Sequence, residues 1–282
     1  MKVSFWGVRG SIPVADRRMA RYGGETACVA VDLEEGARVV LDAGSGIRGL
    51  GAALAGQRRP IHILLSHLHL DHINGLLFFA PFFDPAAEVT VWGPPASGVP
   101  LRRRLARYLS APLSPVEIRD LPARVRFRIA PSEPFDLEGA RVRCALVSHR
   151  GPTLGYRIAD GDNVLCYLPD HEPALGQPMD RGPDEWVSGL GLARDADLLI
   201  HDGQYTEREY LHTRGWGHSM ARDAVDFAAR ARAKRLALFH HDPVHDDGAL
   251  DLMRVEATDR WTAAGGDRSG LSLAAEGTSM VL

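Results

Sequence analysis

Three histidines and one aspartate are concentrated in residues 66–72 of the sequence, SHLHLDH, directly after a largely apolar run. On a strand that runs into a loop, alternate residues point the same way, so His67 and His69 can converge on one point. Asp71 and His72, at the start of a following helix, turn toward a second point beside the first. Imidazoles combined with a carboxylate are typical ligands of borderline divalent metals, zinc above all. The spacing therefore predicts metal binding.

The motif His-x-His-x-Asp-His at 67–72 resembles the signature of the metallo-β-lactamase superfamily. The resemblance implies that further ligands stand singly at the ends of later strands, and the sequence offers a candidate at each expected place. These are His149 after residues 141–148, Asp170 after 165–169 and His240 after 236–239. His241 competes with His240, because strand alternation lets only one of the two face a site. The family pattern of an apolar run that ends in the ligand favours His240.

The resemblance also implies that each chain binds two divalent metal ions, with zinc the first expectation and manganese the second. His67, His69 and His149 are expected to hold one ion. Asp71, His72 and His240 are expected to hold the other, and Asp170 is expected to bridge the two ions. Asp42, at the end of a predicted strand, is expected to orient a ligand histidine. A simple turn role is the alternative for Asp42.

Three further features resemble the phosphodiesterase branch of this superfamily, which contains tRNA 3′-processing endonucleases, cyclic-phosphate phosphodiesterases and cyclic-nucleotide phosphodiesterases. In that branch the aspartate directly before the histidine that serves as the fourth ligand, here Asp71 before His72, is a metal ligand throughout. Residues 199–202 and 217–219 resemble its acid–histidine pair, although Asp202 replaces the usual glutamate and has a shorter reach. Residues 5–13 similarly resemble its N-terminal strand and glycine-rich loop.

The resemblance implies that a hydroxide bridging the two metals hydrolyses a phosphodiester. Catalytic roles are expected for Asp71, as a ligand, and for His218, which Asp202 would orient. His218 would stabilise the equatorial phosphoryl oxygens or donate a proton to the leaving alkoxide.

The expected substrate depends on the segment between two of the ligands. The tRNA-processing relatives carry a long arm between their third and fourth motifs, whereas only residues 150–169 separate His149 from Asp170 here, and one hairpin fills them. This favours a small cyclic phosphodiester, specifically a 3′,5′-cyclic nucleotide, with no stable nucleic-acid complex. The alternatives are an RNA-processing enzyme similar to tRNA 3′-endonuclease, or a thioesterase, lactonase or β-lactamase on the same fold. A non-catalytic binding module is disfavoured because every ligand position is filled.

The composition bounds the protein class. The chain has 282 residues, 45% of them hydrophobic, and a net charge of −3, which argues against a basic groove for long nucleic acid. No linker or repeat divides it, so residues 1–282 are expected to form a single domain. No signal peptide or membrane span is expected, and three widely separated cysteines indicate reduced thiols in a cytoplasmic protein. The arginines at 102–104 and 107 are expected to form the solvated face of a helix.

The elements that must position these residues alternate between strands and helices. Strands are predicted at 2–6, 26–33, 37–42, 61–66, 88–92, 141–148, 154–159, 163–168, 196–201 and 236–240. Helices are predicted at 46–55, 72–80, 99–109 and 219–234, the last with Ser219 as N-cap. This order, like the resemblance, predicts an α/β fold, an αββα sandwich of two mixed β-sheets packed face to face between outer helices. The apolar stretch 76–85 exceeds what one helix face needs, which predicts a homodimer.

Overall fold

The computed structural model describes residues 1–34, 36–175, 177–179 and 181–282. One sheet is formed by β1 (Lys2–Gly7), β2 (Cys28–Asp32), β3 (Arg38–Leu41), β4 (Ile61–Leu64), β5 (Glu88–Gly93), β6 (Arg124–Ile129) and, from the end of the chain, β14 (Ser279–Val281). Its strand order is β14-β1-β2-β3-β4-β5-β6. The strands from β3 to β6 run parallel, whereas β14, β1, β2 and β3 pair antiparallel, so the sheet is mixed.

The other sheet is formed by β7 (Phe135–Leu137), β8 (Ala140–Leu146), β9 (Leu154–Asp160), β10 (Asn163–Leu168), β11 (Leu198–Asp202), β12 (Leu236–Phe239) and β13 (Leu271–Leu273). Its order is β13-β12-β11-β10-β9-β8-β7. The strands from β10 to β13 are parallel, and those from β7 to β10 are antiparallel. Each sheet thus has an antiparallel part and a parallel part.

The helices are α1 (Ile47–Ala53), α2 (Leu70–Ile73), α3 (Leu101–Leu105), α4 (Leu190–Ala193), α5 (Glu207–Thr213), α6 (Ala221–Ala231) and α7 (Asp247–Ala263). Buried residues of α1 and α3 pack in one cluster with the outer face of the first sheet. Those of α6 and α7 pack with the outer face of the second sheet. A third cluster lies between the sheets, where Phe5 and Val29 share a core with Tyr156 and Ile200. The predicted α/β sandwich of two mixed sheets between helical layers is confirmed.

Several element boundaries differ from prediction. Instead of a helix over 72–80, the chain forms α2 and a separate 3₁₀ turn at Leu76–Phe78. Gly75 lies between them so close to the backbone that a Cβ there would sit 2.1 Å from the Gly44 carbonyl oxygen. The helix predicted over 219–234 is shorter, and Met220, not Ser219, is its N-cap. The Ser219 hydroxyl instead donates to the carbonyl of His171.

The parallel strands bring the chemistry to one edge of the sandwich. Asp42 follows β3, residues 66–69 follow β4, and Asp170 follows β10. Asp202 ends β11, and His240 follows β12. In open parallel sheets, sites form beyond the carboxyl ends of the strands, because the loops there converge from neighbouring strands.

The expectations for the cysteines and for membrane-spanning segments can be compared with the structure directly. The three cysteines are buried and have free thiols. Among the described residues, no helix combines the length and the apolar composition that crossing a membrane requires.

Candidate metal centre

The predicted ligands lie in two adjacent groups. Within each group, one donor atom from every side chain lies within 4.8 Å of the others. The first group is His67, His69, His149 and Asp170, and the second is Asp71, His72 and His240. Asp170 also forms a third such group with His218 and His240. The structure thus brings together all the side chains that were expected to hold metal.

Asp170 lies between the two groups. Its Oδ2 is 3.7 Å from Nε2 of His67 and 3.7 Å from Nε2 of His149, in the first group. The same oxygen is 3.4 Å from Nε2 of His240, and Oδ1 is 3.0 Å from Nε2 of His72, in the second group. A carboxylate at this place can reach cations in both groups.

The donor atoms of the site fit divalent cations. Nε2 of His72 is 3.3 Å from Nε2 of His240, and Nε2 of His149 is 3.3 Å from Nδ1 of His69. Facing imidazole nitrogens leave at least one lone pair directed into the shared space. Within the part of the chain that the structure describes, Nε2 of His67 is buried without a hydrogen-bond partner. Nitrogen and carboxylate donors in this arrangement suit divalent transition-metal ions.

The outer ring nitrogens are held by hydrogen bonds, which fixes the orientation of each ring. Nδ1 of His72 donates to Oδ2 of Asp42 at 2.8 Å, and Nδ1 of His149 donates to the carbonyl of Gly217 at 2.7 Å. Nδ1 of His240 donates to Oε1 of Gln204 at 3.1 Å. When one nitrogen of an imidazole carries the proton, the other is free to bind metal. The bonding pattern therefore sets the tautomers that ligands need.

Asp42 combines both roles that the sequence left open. Its fully buried carboxylate accepts hydrogen bonds from His72, from the backbone and hydroxyl of Ser66, and from the hydroxyl of Tyr167, at 2.7–2.9 Å. The residue also makes the turn after β3, with φ of 60°. Left-handed backbone at a residue other than glycine is strained, and such strain is concentrated at functional sites.

His240 also has a left-handed backbone, with φ of 60°, and it packs against the N-terminal loop. A Cβ at Gly10 would lie 2.3 Å from its ring, so only glycine leaves room for the imidazole. In the same loop, the backbone N–H of Ser11 donates to Oδ2 of Asp71 at 2.7 Å. The glycine-rich loop thus makes room for one candidate ligand and orients another.

The electric field of the site favours positive charge. Burial lowers the pKa of His72, but the carboxylates of Asp170, Asp71 and Asp42 outweigh burial and raise this pKa well above its usual value. Burial and the neighbouring His72 lower the pKa of His67 well below the usual value, so His67 is neutral. The same negative field that favours a proton on His72 would favour a divalent cation in its place.

His218 and Asp202 form the expected pair beside the ligands. Nδ1 of His218 donates to Oδ2 of Asp202 at 2.7 Å, so the shorter aspartate does reach the imidazole. Burial lowers the pKa of His218, but Asp202 outweighs it and the pKa rises to about 9. The ring stacks on His240 with 4.9 Å between the ring centroids. His218 is therefore a hydrogen-bond donor, positively charged below that pKa, next to the candidate ligands.

The remaining histidines lie outside the ligand groups. Nε2 of His241 donates to the carbonyl of Ala274 at 2.8 Å, and burial lowers the pKa of His241 to about 3. His171 and His201 are buried and contact each other at 3.0 Å. His62 accepts a hydrogen bond from Nε1 of Trp92.

Three polar residues of the site were not expected from the sequence. Ser66 and Gln204 form hydrogen bonds with the imidazoles of the candidate ligands His67 and His240, and Glu172 stabilises a turn. The Glu172 carboxylate accepts from the backbone N–H groups of Gly215 and Gly217 at 2.8 Å each. The Gly-Trp-Gly sequence at 215–217 is the one signal that could have indicated this tight turn.

Comparison with known proteins gives consistent matches. Residues 37–241 match the model of the family described as beta-lactamase superfamily domain. Ribonuclease Z of Halorubrum lacusprofundi is 27% identical over 283 residues, which cover 85% of this chain and 86% of the relative.

Two solved structures are similar over their full lengths. The zinc-bound PqqB of Methylobacterium extorquens has a TM-score of 0.72 at 18% identity, and the match covers 100% of both chains. The short form of human tRNase Z has a TM-score of 0.67 at 22% identity, and the match covers 100% of this chain and 99% of that one. At these identities the structures show a shared fold.

Proposed function

The chain belongs to the beta-lactamase superfamily, and we propose that it hydrolyses a phosphodiester bond in RNA. It is a metal-dependent hydrolase of the phosphodiesterase type. The observation that carries the RNA substrate is the similarity to ribonuclease Z along 85% of the chain. The prediction of a 3′,5′-cyclic nucleotide is not confirmed, and the RNA-processing alternative has better support. The predicted lack of a nucleic-acid partner is likewise not supported.

We propose that each of the two ligand groups holds one metal ion. His67, His69 and His149 would bind one ion, and Asp71, His72 and His240 the other, with Asp170 between them. Zinc is the proposed metal and manganese the alternative. Bound divalent ions would supply Lewis-acid activation of water and of the phosphoryl oxygens.

The protein's own groups would then orient the substrate and move a proton. Nδ1 of His218 is bound to Asp202, so the remaining donor of the imidazolium is Nε2–H. The side chain of His218 is 13% exposed and lines a cavity beside the ligand groups. From there Nε2–H can donate a hydrogen bond to a phosphoryl oxygen or a proton to the leaving ribose oxygen.

The experiment compares substrates on the purified protein loaded with zinc or manganese. A tRNA-like RNA with an unpaired 3′ extension should be cleaved, and bis(p-nitrophenyl) phosphate should be hydrolysed more slowly. The Asp170→Asn variant, purified and loaded in parallel, is the control for a contaminating nuclease. Hydrolysis of nitrocefin or of a thioester, without cleavage of either phosphodiester, would overturn the proposal.

A small phosphodiester is the second candidate, because one observation favours it. Only residues 150–169 separate His149 from Asp170, and β9 and β10 occupy most of them. No segment is left there for an arm that grips a large RNA. If 3′,5′-cyclic AMP is hydrolysed with a higher kcat/KM than the RNA, the small substrate replaces RNA as the proposed one.

We also propose that the protein is a homodimer. In the apolar stretch 76–85, Leu76, Phe79 and Phe82 are buried, whereas Phe78 is 62% exposed and Phe83 is 44% exposed. Neighbouring exposed phenylalanines are typical of a contact surface. Sedimentation at micromolar concentration should give a dimer mass, and Phe78→Glu should give a monomer. A wild-type monomer would contradict this proposal.

A further inference from the structure

A cavity of about 340 Å³ opens beside the metal centre. His218 forms part of its wall, so the cavity is directly adjacent to the candidate catalytic groups. Its lining also includes Tyr205, Trp216 and Arg150. A substrate whose scissile phosphate lies at the ligand groups would extend into this space.

Trp216 is held on a rigid turn at the rim of this cavity. Its indole is 53% exposed, while the flanking glycines have left-handed φ values of 81° at Gly215 and 94° at Gly217. Both glycine N–H groups donate to the carboxylate of Glu172, which is 2% exposed and also accepts from the hydroxyl of Tyr210 at 2.6 Å. These two hydrogen bonds fix the backbone on both sides of Trp216, so a flat ligand that binds the indole need not order the turn.

Arg150 supplies positive charge beside the indole. Its Nε and Nη2 contact the carbonyl of Gly215 at 3.4 and 3.3 Å, which keeps the guanidinium next to the turn. Among the ion pairs of the described residues, none involves Arg150, and its remaining donors stay available. The acidic side chain in the cavity, Asp242, accepts hydrogen bonds from Gln204 and from the N–H of Val244.

We propose that this cavity is a nucleoside subsite, in which a nucleobase stacks on Trp216 and Arg150 binds the phosphate attached to that nucleoside. The inference rests on the proposed function and deepens it, because it names the groups that would recognise the nucleotide next to the scissile bond. Stacking on an aromatic ring tolerates any base, since every base has a π-face. The subsite would therefore select nucleotides over other phosphodiesters without selecting a sequence.

The variants are chosen to leave the turn intact. The carbonyl of Gly217 accepts the hydrogen bond from Nδ1 of His149, so a change at Glu172 or at the glycines would disturb a candidate ligand as well. Truncating the Trp216 side chain keeps the clamped backbone. Trp186→Ala is the matched control, because Trp186 is 80% exposed and does not line this cavity.

The kinetic test uses two esters with the same p-nitrophenolate leaving group. One is a uridine 5′-(p-nitrophenyl phosphate), and the other is methyl p-nitrophenyl phosphate, which lacks a base and a sugar. Stacking is worth about 1–3 kcal/mol per base, so Trp216→Ala should lower kcat/KM for the nucleoside ester by about 5- to 150-fold. The methyl ester should be unaffected, and Trp216→Phe should retain part of the preference. An equal loss on both esters, or no loss on the nucleoside ester, would overturn the subsite.

A binding test separates this inference from the proposed function. By calorimetry, the wild-type protein should bind AMP more tightly than ribose 5-phosphate, and Trp216→Ala should remove the difference. Arg150→Gln should weaken both ligands equally. If neither ester is hydrolysed but this pattern holds, the proposed function fails and the subsite stands. Equal binding of AMP and ribose 5-phosphate by the wild-type protein would overturn the subsite.

Discussion

Asp42 after β3 and Asp202 at the end of β11 each hold an imidazole by its Nδ1, one in each sheet. The distance is 2.8 Å from Asp42 to His72 and 2.7 Å from Asp202 to His218. In both pairs burial lowers the pKa of the histidine, and carboxylates outweigh burial and raise it. Asp202 is the main such group for His218, whereas Asp170 and Asp71 contribute more than Asp42 for His72. The surroundings differ, because the His72 side chain is 0% exposed among candidate ligands, whereas that of His218 is 13% exposed at a cavity.

The same kind of hydrogen bond can therefore serve two kinds of chemistry. An imidazole with no access to solvent and a free nitrogen among other ligands can only hold a cation there. An imidazolium at a cavity can exchange its proton with a substrate. The two pairs should therefore respond differently to substitution, and four changes test this from the largest effect to the smallest.

Removal of His72 should have the largest effect. His72→Ala takes a candidate ligand from the centre and leaves Asp42 buried without its imidazole partner. Turnover should fall to background with every substrate, and metal content should fall as well. His212→Ala, which changes an exposed histidine, should retain wild-type values. The measurements are metal content by mass spectrometry and the rate of RNA cleavage.

Removal of His218 should reduce turnover without metal loss. A general acid contributes about 10²–10⁴-fold, so His218→Ala should lower kcat in that range for RNA. A p-nitrophenyl ester should suffer less, because its leaving group departs without a proton. Metal loss, with equal damage to both substrates, would instead make His218 a ligand.

Asp42→Asn should weaken metal binding. Loss of a group that orients a ligand histidine typically costs about 10- to 100-fold in metal affinity. The amide would also leave buried donors of Ser66 or Tyr167 unpaired, which costs about 1–3 kcal/mol of unfolding free energy. Competition with a chelator and thermal denaturation would measure the two effects. Metal affinity as in the wild type would refute the orienting role.

Asp202→Asn should have the smallest effect, seen in the pH dependence. Asp202 raises the pKa of His218 to about 9, so the donor form of His218 is present below that pH and is lost above it. Without the carboxylate, the pKa of His218 falls and the basic limb of the kcat profile should move to lower pH. The metal content should not change. An unmoved limb would mean that His218 does not control this part of the profile.

The candidate ligands could be predicted from the sequence because they lie either in one short motif or directly after an apolar strand. Residues 67–72 lie in the short loop after β4 and in α2, so their spacing alone largely determines which side chains converge. The single residues His149, Asp170 and His240 follow apolar strands at positions that the family resemblance anticipated. The two mixed sheets followed from the same alternation of strands and helices.

The missed features depend on tertiary contacts. Nothing in the local sequence distinguishes Glu172 and Gln204 from other polar residues. Only the fold places Glu172 at the glycine turn and Gln204 beside His240. The helix predicted over 72–80 is broken because Gly75 must approach the backbone of Gly44. Helix α7 was not predicted, since the exposed side chains of Leu252 and Val255 obscure its apolar stripe.

The metal content of the purified protein decides whether the two ligand groups form a dinuclear metal centre. With zinc or manganese supplied during expression, mass spectrometry should count close to two ions per chain in the wild type and fewer in Asp170→Asn, because Asp170 lies between the two ligand groups. Chelation should abolish phosphodiester hydrolysis, and the metal should restore it. At most one ion per chain, with turnover that survives both chelation and the Asp170→Asn change, would contradict the account.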